Sequence, residues 1–106
     1  MSSEISVEEL LRRREAGKPF VLLDVREADE VAIVRIADST WIPMREIPQR
    51  IGELDPSVPV AVICHHGGRS ERVAAFLAGR GFAEVLNVDG GIDAYAERVE
   101  RSLARY

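Results

Sequence analysis

Two stretches of this chain, Phe20-Val21-Leu22-Leu23 and Val60-Ala61-Val62-Ile63, are apolar at every position. A strand with one wet face alternates apolar and polar residues, whereas a strand covered on both faces has no polar side to show. Both runs therefore predict strands buried between helical layers. The segments around them read as helices. Ser6-Val7-Glu8-Glu9 has the form of a capping box, with Ile5 and Leu10 placed for a hydrophobic staple and Gly17 and Pro19 as a stop. Glu27 to Ile36 carries Ala28, Val31, Ala32 and Ile36 at helical spacing, weakened by β-branched residues. Thr40-Trp41-Ile42 predicts a short strand. Met44 to Leu54 predicts a modest helix with Ile47, Ile51 and Leu54 on one side.

Beyond the second run, a helix starting near Arg69 or Ser70 turns Val73, Ala74, Phe76 and Leu77 inward and closes at Gly79 and Gly81. Glu84-Val85-Leu86-Asn87-Val88 predicts a third strand, and Ile92, Tyr95, Val99 and Leu103 form the inner stripe of a last helix. On that helix Glu97 and Arg101 are spaced for an outward ion pair. Strands alternate with helices, so the expected fold is α/β: a mainly parallel central sheet with helices on both faces. No repeat or linker interrupts residues 1–106, which predicts one domain.

Composition narrows what that domain can do. The chain has 106 residues, 46% of them apolar, which suits a single globular core. Its 14 Lys and Arg against 18 Asp and Glu leave a net charge of −4, which argues against general nucleic-acid binding. No apolar run approaches the roughly 20 residues that span a bilayer. Met1-Ser2-Ser3-Glu4-Ile5 brings in an acid before any leader-like stretch. The expectation is a soluble, cytoplasmic chain with neither nucleic acid nor membrane as partner. The one cysteine, Cys64, excludes an internal disulfide and a zinc site of several thiolates.

Cys64 ends a buried strand, where ligands collect in parallel α/β sheets. A cysteine there is most often a small apolar filler. The residues just after it, His65-His66-Gly67-Gly68-Arg69-Ser70, make poor core. Gly67 and Gly68 let the backbone turn tightly and aim its amides at one point, and the next helix adds its positive end. Dipole, amides and Arg69 all favour the thiolate, which is the reactive form. Three adjacent residues wrap one ion badly, so Cys64, His65 and His66 do not read as a metal site. Asp24 and Arg26, at another strand end, read as a structural pair or cap, and Trp41 as a core aromatic. Glu27, Asp29 and Glu30 read as a solvated face near a helix N-terminus, and Arg35 as a surface cation.

Leu23-Asp24-Val25-Arg26-Glu27, the loop Cys64 to Ser70 with its helix, and Asn87-Val88-Asp89-Gly90-Gly91-Ile92 together resemble the rhodanese-like sulfurtransferases, in their single-domain form. The resemblance covers nearly the whole chain, and the loop is its specific part. It implies a two-step transfer. The Cys64 thiolate attacks the outer sulfur of a small anionic donor such as thiosulfate, and the resulting persulfide passes that sulfur to cyanide, a thiol or a protein acceptor. Cys64 is then catalytic, and His65, His66, Gly67, Gly68, Arg69 and Ser70 bind substrate, with Arg69 orienting the donor's anionic end. No cofactor and no metal are implied. With one thiol in the chain, the persulfide must be resolved from outside.

Related phosphatases and arsenate reductases space the cysteine and arginine one position further apart than the four residues found here. A smaller ring suits one sulfur atom better than a tetrahedral oxyanion. An arginine at position 69 also differs from the threonine usual in mercaptopyruvate sulfurtransferases. The alternative to small-molecule turnover is a sulfur-relay or partner-binding module. One segment departs from the family pattern: Val34-Arg35-Ile36-Ala37-Asp38-Ser39 stands where members often carry Gly-His-Ile-Pro-Gly-Ala. The local packing there is the feature this change affects most.

Overall fold

Among the described residues five strands form one sheet, and the two unbroken apolar runs supply two of its three inner strands. They are β1 (Ser3–Ile5), β2 (Val21–Asp24), β3 (Thr40–Trp41), β4 (Val60–Ile63) and β5 (Val85–Val88). Their order across the sheet is β1-β5-β4-β2-β3, and every neighbouring pair is parallel. This is the computed structural model of the chain, and it describes residues 3–106. Met1 and Ser2, part of the amino terminus expected to carry no leader, lie outside the described residues. Among the described residues, no helix is long and apolar enough to cross a membrane.

Helices cover both faces. Leu22 of β2 and Ala61 and Ile63 of β4 join a cluster with Val7 and Leu10 of α1 (Val7–Ala16) and Ile92 and Tyr95 of α5 (Gly91–Arg98). Leu23, Val60 and Val62 point the other way. They meet Ile47 of α3 (Ile47–Arg50) and Val73 and Leu77 of α4 (Gly68–Ala78). Successive side chains of a strand face opposite sides, so a strand with a core on each side needs apolar residues throughout. Each fully buried Val, Leu or Ile contributes roughly 1.5–3 kcal/mol. The edges are short, three residues in β1 and two in β3, which limits unpaired backbone at the sheet margins.

Several elements differ from expectation. β1 was not legible, because Ser3-Glu4-Ile5 is short and polar; it forms through its pairing with β5. The Ser6 hydroxyl accepts the Glu9 N–H at 3.1 Å, but the Glu9 carboxylate turns to Arg12 instead of completing the box. The helix expected over Glu27 to Ile36 is α2 (Ala28–Ile33). Val34 leaves it in extended conformation, so Ile36 reaches the core from a loop. Met44 to Leu54 is not one helix: α3 sits between two 3₁₀ turns, Met44–Glu46 and Ile51–Glu53. Pro48 lacks the N–H that a continuous helix would use.

The carboxyl-terminal stripe also breaks early. α5 stops at Arg98, and Val99 and Leu103 pack on the core from irregular backbone. Arg101 donates to the Glu97 backbone carbonyl at 3.1 Å rather than pairing with its carboxylate, which faces Arg105. An orphan carbonyl at a helix end is a ready acceptor for such a side chain.

The carboxyl end of β2 carries a buried ion pair. Asp24 and Arg26 are essentially inaccessible to solvent, and the guanidinium meets the carboxylate with Nη2 at 2.7 Å. Arg26 also donates to the carbonyls of Val34 at 2.7 Å and Glu30 at 3.3 Å. It thereby caps the end of α2 from below. Trp41 donates its indole N–H to the Arg26 carbonyl at 2.8 Å, tying β3 to the same corner. Burying these charges is expensive unless every polar atom finds a partner. Asp24, α2 and Tyr106 provide those partners.

Candidate active site

The loop that follows β4 closes around the Cys64 sulfur. Cys64 is 1% exposed, and its Sγ accepts the backbone N–H of Gly67 at 3.1 Å and of Ser70 at 3.4 Å. The Ser70 hydroxyl stands 3.3 Å from the same atom. Two backbone N–H donors therefore converge on the sulfur. The loop bends this tightly because Gly67 has φ of +118°, a conformation that side-chain-bearing residues rarely adopt. α4 begins one residue later, at Gly68, so its first N–H groups flank the sulfur. The helix thus starts slightly before the Arg69 or Ser70 expected. Only Gly67, not Gly68, makes the turn.

Two elements outside the loop hold it. Asn87, buried on β5, accepts the Ser70 hydroxyl at 2.5 Å and donates to the Gly67 carbonyl at 3.3 Å and Glu4 at 2.8 Å. α5 approaches end-on: Ile92 N–H donates to the Cys64 carbonyl at 2.8 Å and Asp93 N–H to the His65 carbonyl at 3.1 Å. That approach needs glycine at position 91. Its φ is +61°, and an added Cβ would lie 2.5 Å from the Cys64 carbonyl oxygen. Asn87 entered the sequence reading only within a family segment and not as a site residue, although an amide inside the run Val85-Leu86-Asn87-Val88 was the available signal.

The rim carries the charges. His65 stacks on Tyr106 with ring centres 3.8 Å apart and planes 10° apart, and on His66 at 3.8 Å and 30°. His66 Nε2 is 3.9 Å from the Asp93 carboxylate, which Arg105 spans at 3.0 and 3.1 Å. Ligand atoms of His65, His66 and Asp93 fall within 4.8 Å of one another. Lone pairs of stacked rings lie in the ring planes and run side by side, and Asp93 is already engaged by Arg105. The two histidines stack while Asp93 pairs with Arg105, and Cys64 is not part of the group.

Arg69 is not free. Its guanidinium meets the Glu30 carboxylate with both terminal nitrogens, at 2.5 and 2.8 Å. The acids of α2 therefore do not form one solvated face: the Glu30 side chain is 16% exposed and belongs to the site. Tyr106 donates its hydroxyl to Glu30 at 2.8 Å and accepts from Arg26 at 3.1 Å. Arg69, and then the backbone and Tyr106 donors, hold the Glu30 carboxyl down at about 2. Burial, reinforced by Glu30, pushes the Tyr106 phenol up to about 12. The sequence presented Glu30 only as one of three solvated acids, and Tyr106 not at all. Nothing in their local pattern marks them, since α2 and the carboxyl-terminal segment meet the loop only in three dimensions.

A surface cavity of about 690 Å³ lies elsewhere, between Phe20, Pro59, Arg12, Arg13 and Lys18 at the amino ends of β2 and β4. Two of its three cations are already paired, Arg12 with Glu9 and Arg13 with Glu84. Volume alone is a poor guide when the convergent donors sit at the opposite ends of the strands.

Comparison with known proteins bears on the family and the fold. A family described as rhodanese-like domain matches residues 6–98. A sulfurtransferase of Allochromatium vinosum is 36% identical over 96 residues, covering 91% of this chain and 90% of its own. The thiosulfate sulfurtransferase GlpE of Pseudomonas savastanoi pv. phaseolicola is 40% identical over 80 residues, covering 76% and 74%. The crystal structure of a rhodanese-like domain protein from Staphylococcus aureus superposes with a TM-score of 0.85 at 29% identity. That match covers 100% of this chain and 99% of the other.

Proposed function

The chain belongs to the rhodanese-like domain family, and from that premise we propose that it is a sulfurtransferase working through a Cys64 persulfide. The observation that carries the reading is the environment of Sγ: a buried sulfur at a strand's carboxyl end, facing two backbone N–H groups and a hydroxyl. In the first step the thiolate attacks the outer sulfur of thiosulfate or of a persulfide donor. The donor's S–S bond breaks, its electron pair leaves with sulfite or a thiolate, and an S–S bond forms on Cys64. The terminal sulfur then carries the negative charge.

The amides of the loop from His65 to Ser70 and the amino end of α4 stabilise that charge as an oxyanion hole does for oxygen. A thiol or cyanide attacks the terminal sulfur, and the Cys64 thiolate is released unchanged. One residue is both nucleophile and carrier. His65 and Arg69 bound the loop, His66 stands on its exposed side, and Gly67, Gly68 and Ser70 line its turn. This is the basis for reading all six as substrate-binding. Because the described chain offers no second thiol, the acceptor is external.

Intact-mass measurement tests this. After incubation with thiosulfate, the protein should gain the mass of one sulfur, lose it on adding cyanide or a thiol, and gain nothing as Cys64→Ser. Failure to load sulfur from thiosulfate and from a low-molecular-weight persulfide would remove the reading. Loading that discharges only onto a specific protein would favour the relay module instead.

A further inference from the structure

A rhodanese-like loop arginine is expected to meet the anionic end of the donor, yet here that guanidinium already carries a carboxylate. The Arg69–Glu30 contact is bidentate, at 2.5 and 2.8 Å. Its two side chains are only 31% and 16% exposed. Glu30 is braced from every side. Its Oε1 accepts the Glu27 N–H at 3.0 Å, its Oε2 accepts the Tyr106 hydroxyl at 2.8 Å, and its carbonyl accepts Arg26 at 3.3 Å. Tyr106 is pinned in turn by Arg26 at 3.1 Å and by its stack on His65 at 3.8 Å. A carboxylate held by this many partners does not swing aside at low cost. It is part of the rim.

We propose that Glu30 is the specificity-determining residue of the site, selecting sulfur donors by charge. A doubly negative donor approaching the Cys64 loop meets a neutral ion pair, with the carboxylate of Glu30 beside the cation that would otherwise attract it. It must either share Arg69 with Glu30 or displace a buttressed group. A persulfide donor with little net charge, or with a cationic group beside the sulfur, does not incur that repulsion. The inference rests on the sulfur-transfer reading and deepens it: the site as built favours low-charge organic persulfides over thiosulfate. Tyr106 acts as a positioning residue, holding the carboxylate on Arg69.

The test compares thiosulfate, a dianion, with cysteamine persulfide, whose ammonium offsets its persulfide charge. Steady-state kinetics are measured for the wild-type chain, Glu30→Gln and Tyr106→Phe, and calorimetry follows thiosulfate binding to Cys64→Ser with and without Glu30→Gln. Removing one like charge beside a bound dianion is worth about tenfold in affinity, or about 1.4 kcal/mol. Glu30→Gln should therefore lower the thiosulfate KM about tenfold with kcat little changed. It should leave the cysteamine persulfide KM unchanged or raise it, and tighten thiosulfate binding to the Cys64→Ser form by a similar factor. Tyr106→Phe should move the same ratio in the same direction, less far, and added salt should shrink the difference. If Glu30→Gln changes both donors alike, or weakens thiosulfate binding, Glu30 only props Arg69 and the inference falls while sulfur transfer stands. If the wild-type chain takes sulfur from neither donor, the transfer reading itself falls and the inference with it.

Discussion

At Gly67 the backbone φ is +118°, while its neighbour Gly68 is the first residue of α4 and a Cβ there would touch nothing within 4 Å. The two glycines are adjacent in sequence and opposite in need. Gly67→Ala forces a side chain into a conformation costing on the order of 1–2 kcal/mol and moves the amide that points at Sγ. It should lower both the melting temperature and the rate of sulfur loading. Gly68→Ala meets no obstacle and removes chain entropy from the unfolded state, so it should stabilise by about 0.4–1 kcal/mol. Thermal denaturation and loading rates of the two variants check the pair. If the two behave alike, the left-handed turn at Gly67 is wrong.

Among the elements, α5 has the least obvious part in the site. As a helix it buries Ile92, Tyr95 and Ala96 against the sheet. Its first turn also gives two N–H groups to the carbonyls of Cys64 and His65. Those bonds hold the two carbonyls, and their peptide planes help decide where the loop's amides point. Gly91→Ala would place a Cβ 2.5 Å from the Cys64 carbonyl oxygen, so either α5 or the loop must shift. The expected result is a loss of about 2 kcal/mol or more in urea unfolding, with sulfur loading at least tenfold slower. A stable but inactive protein would place the movement in the loop, and an unstable but active one would place it in α5. A variant unchanged in both would refute the close approach.

α2 shows the same dependence on surroundings. It is six residues long with no residue buried. It is held by Arg26 at its end and by the Glu27–Glu30 contact at its start. Through it the buried Asp24–Arg26 pair determines where Glu30 stands.

Across the whole molecule, the Glu30–Arg69 pair ties α2 to α4 and so links stability to pH. The Glu30 carboxyl falls from the ordinary 4.5 to about 2 in the folded chain. A carboxyl lowered on folding stabilises the fold above its unfolded value, and that contribution is lost as pH falls towards the folded one. Stability should therefore decline between about pH 4.5 and 2, and Glu30 should account for on the order of 2 kcal/mol of the decline. Denaturant melts of the wild-type chain and Glu30→Gln across that range check the sign: the gap between them should be widest near pH 5 and close by pH 2. A gap that widens on acidification would reverse the assignment.

The inner strands and the cysteine loop were legible in the amino-acid order, because their signals are local. An apolar run, a left-handed glycine and a thiol before a helix start each follow from neighbours a few residues apart. The resemblance to rhodanese-like proteins rests on those same segments. Nothing local shows that Arg69 is already neutralised, that Tyr106 lies on His65, or that Asn87 clamps the loop. The partners are separated by 39 residues for Arg69 and Glu30 and by 17 for Ser70 and Asn87, and side-chain pairing over such spans depends on how the sheet brings the elements together. Sequence alone determined that a thiol would sit at the carboxyl end of a buried strand. Only the tertiary structure decided which charges surround it, since electrostatics at that site follow distance in space rather than order in the chain.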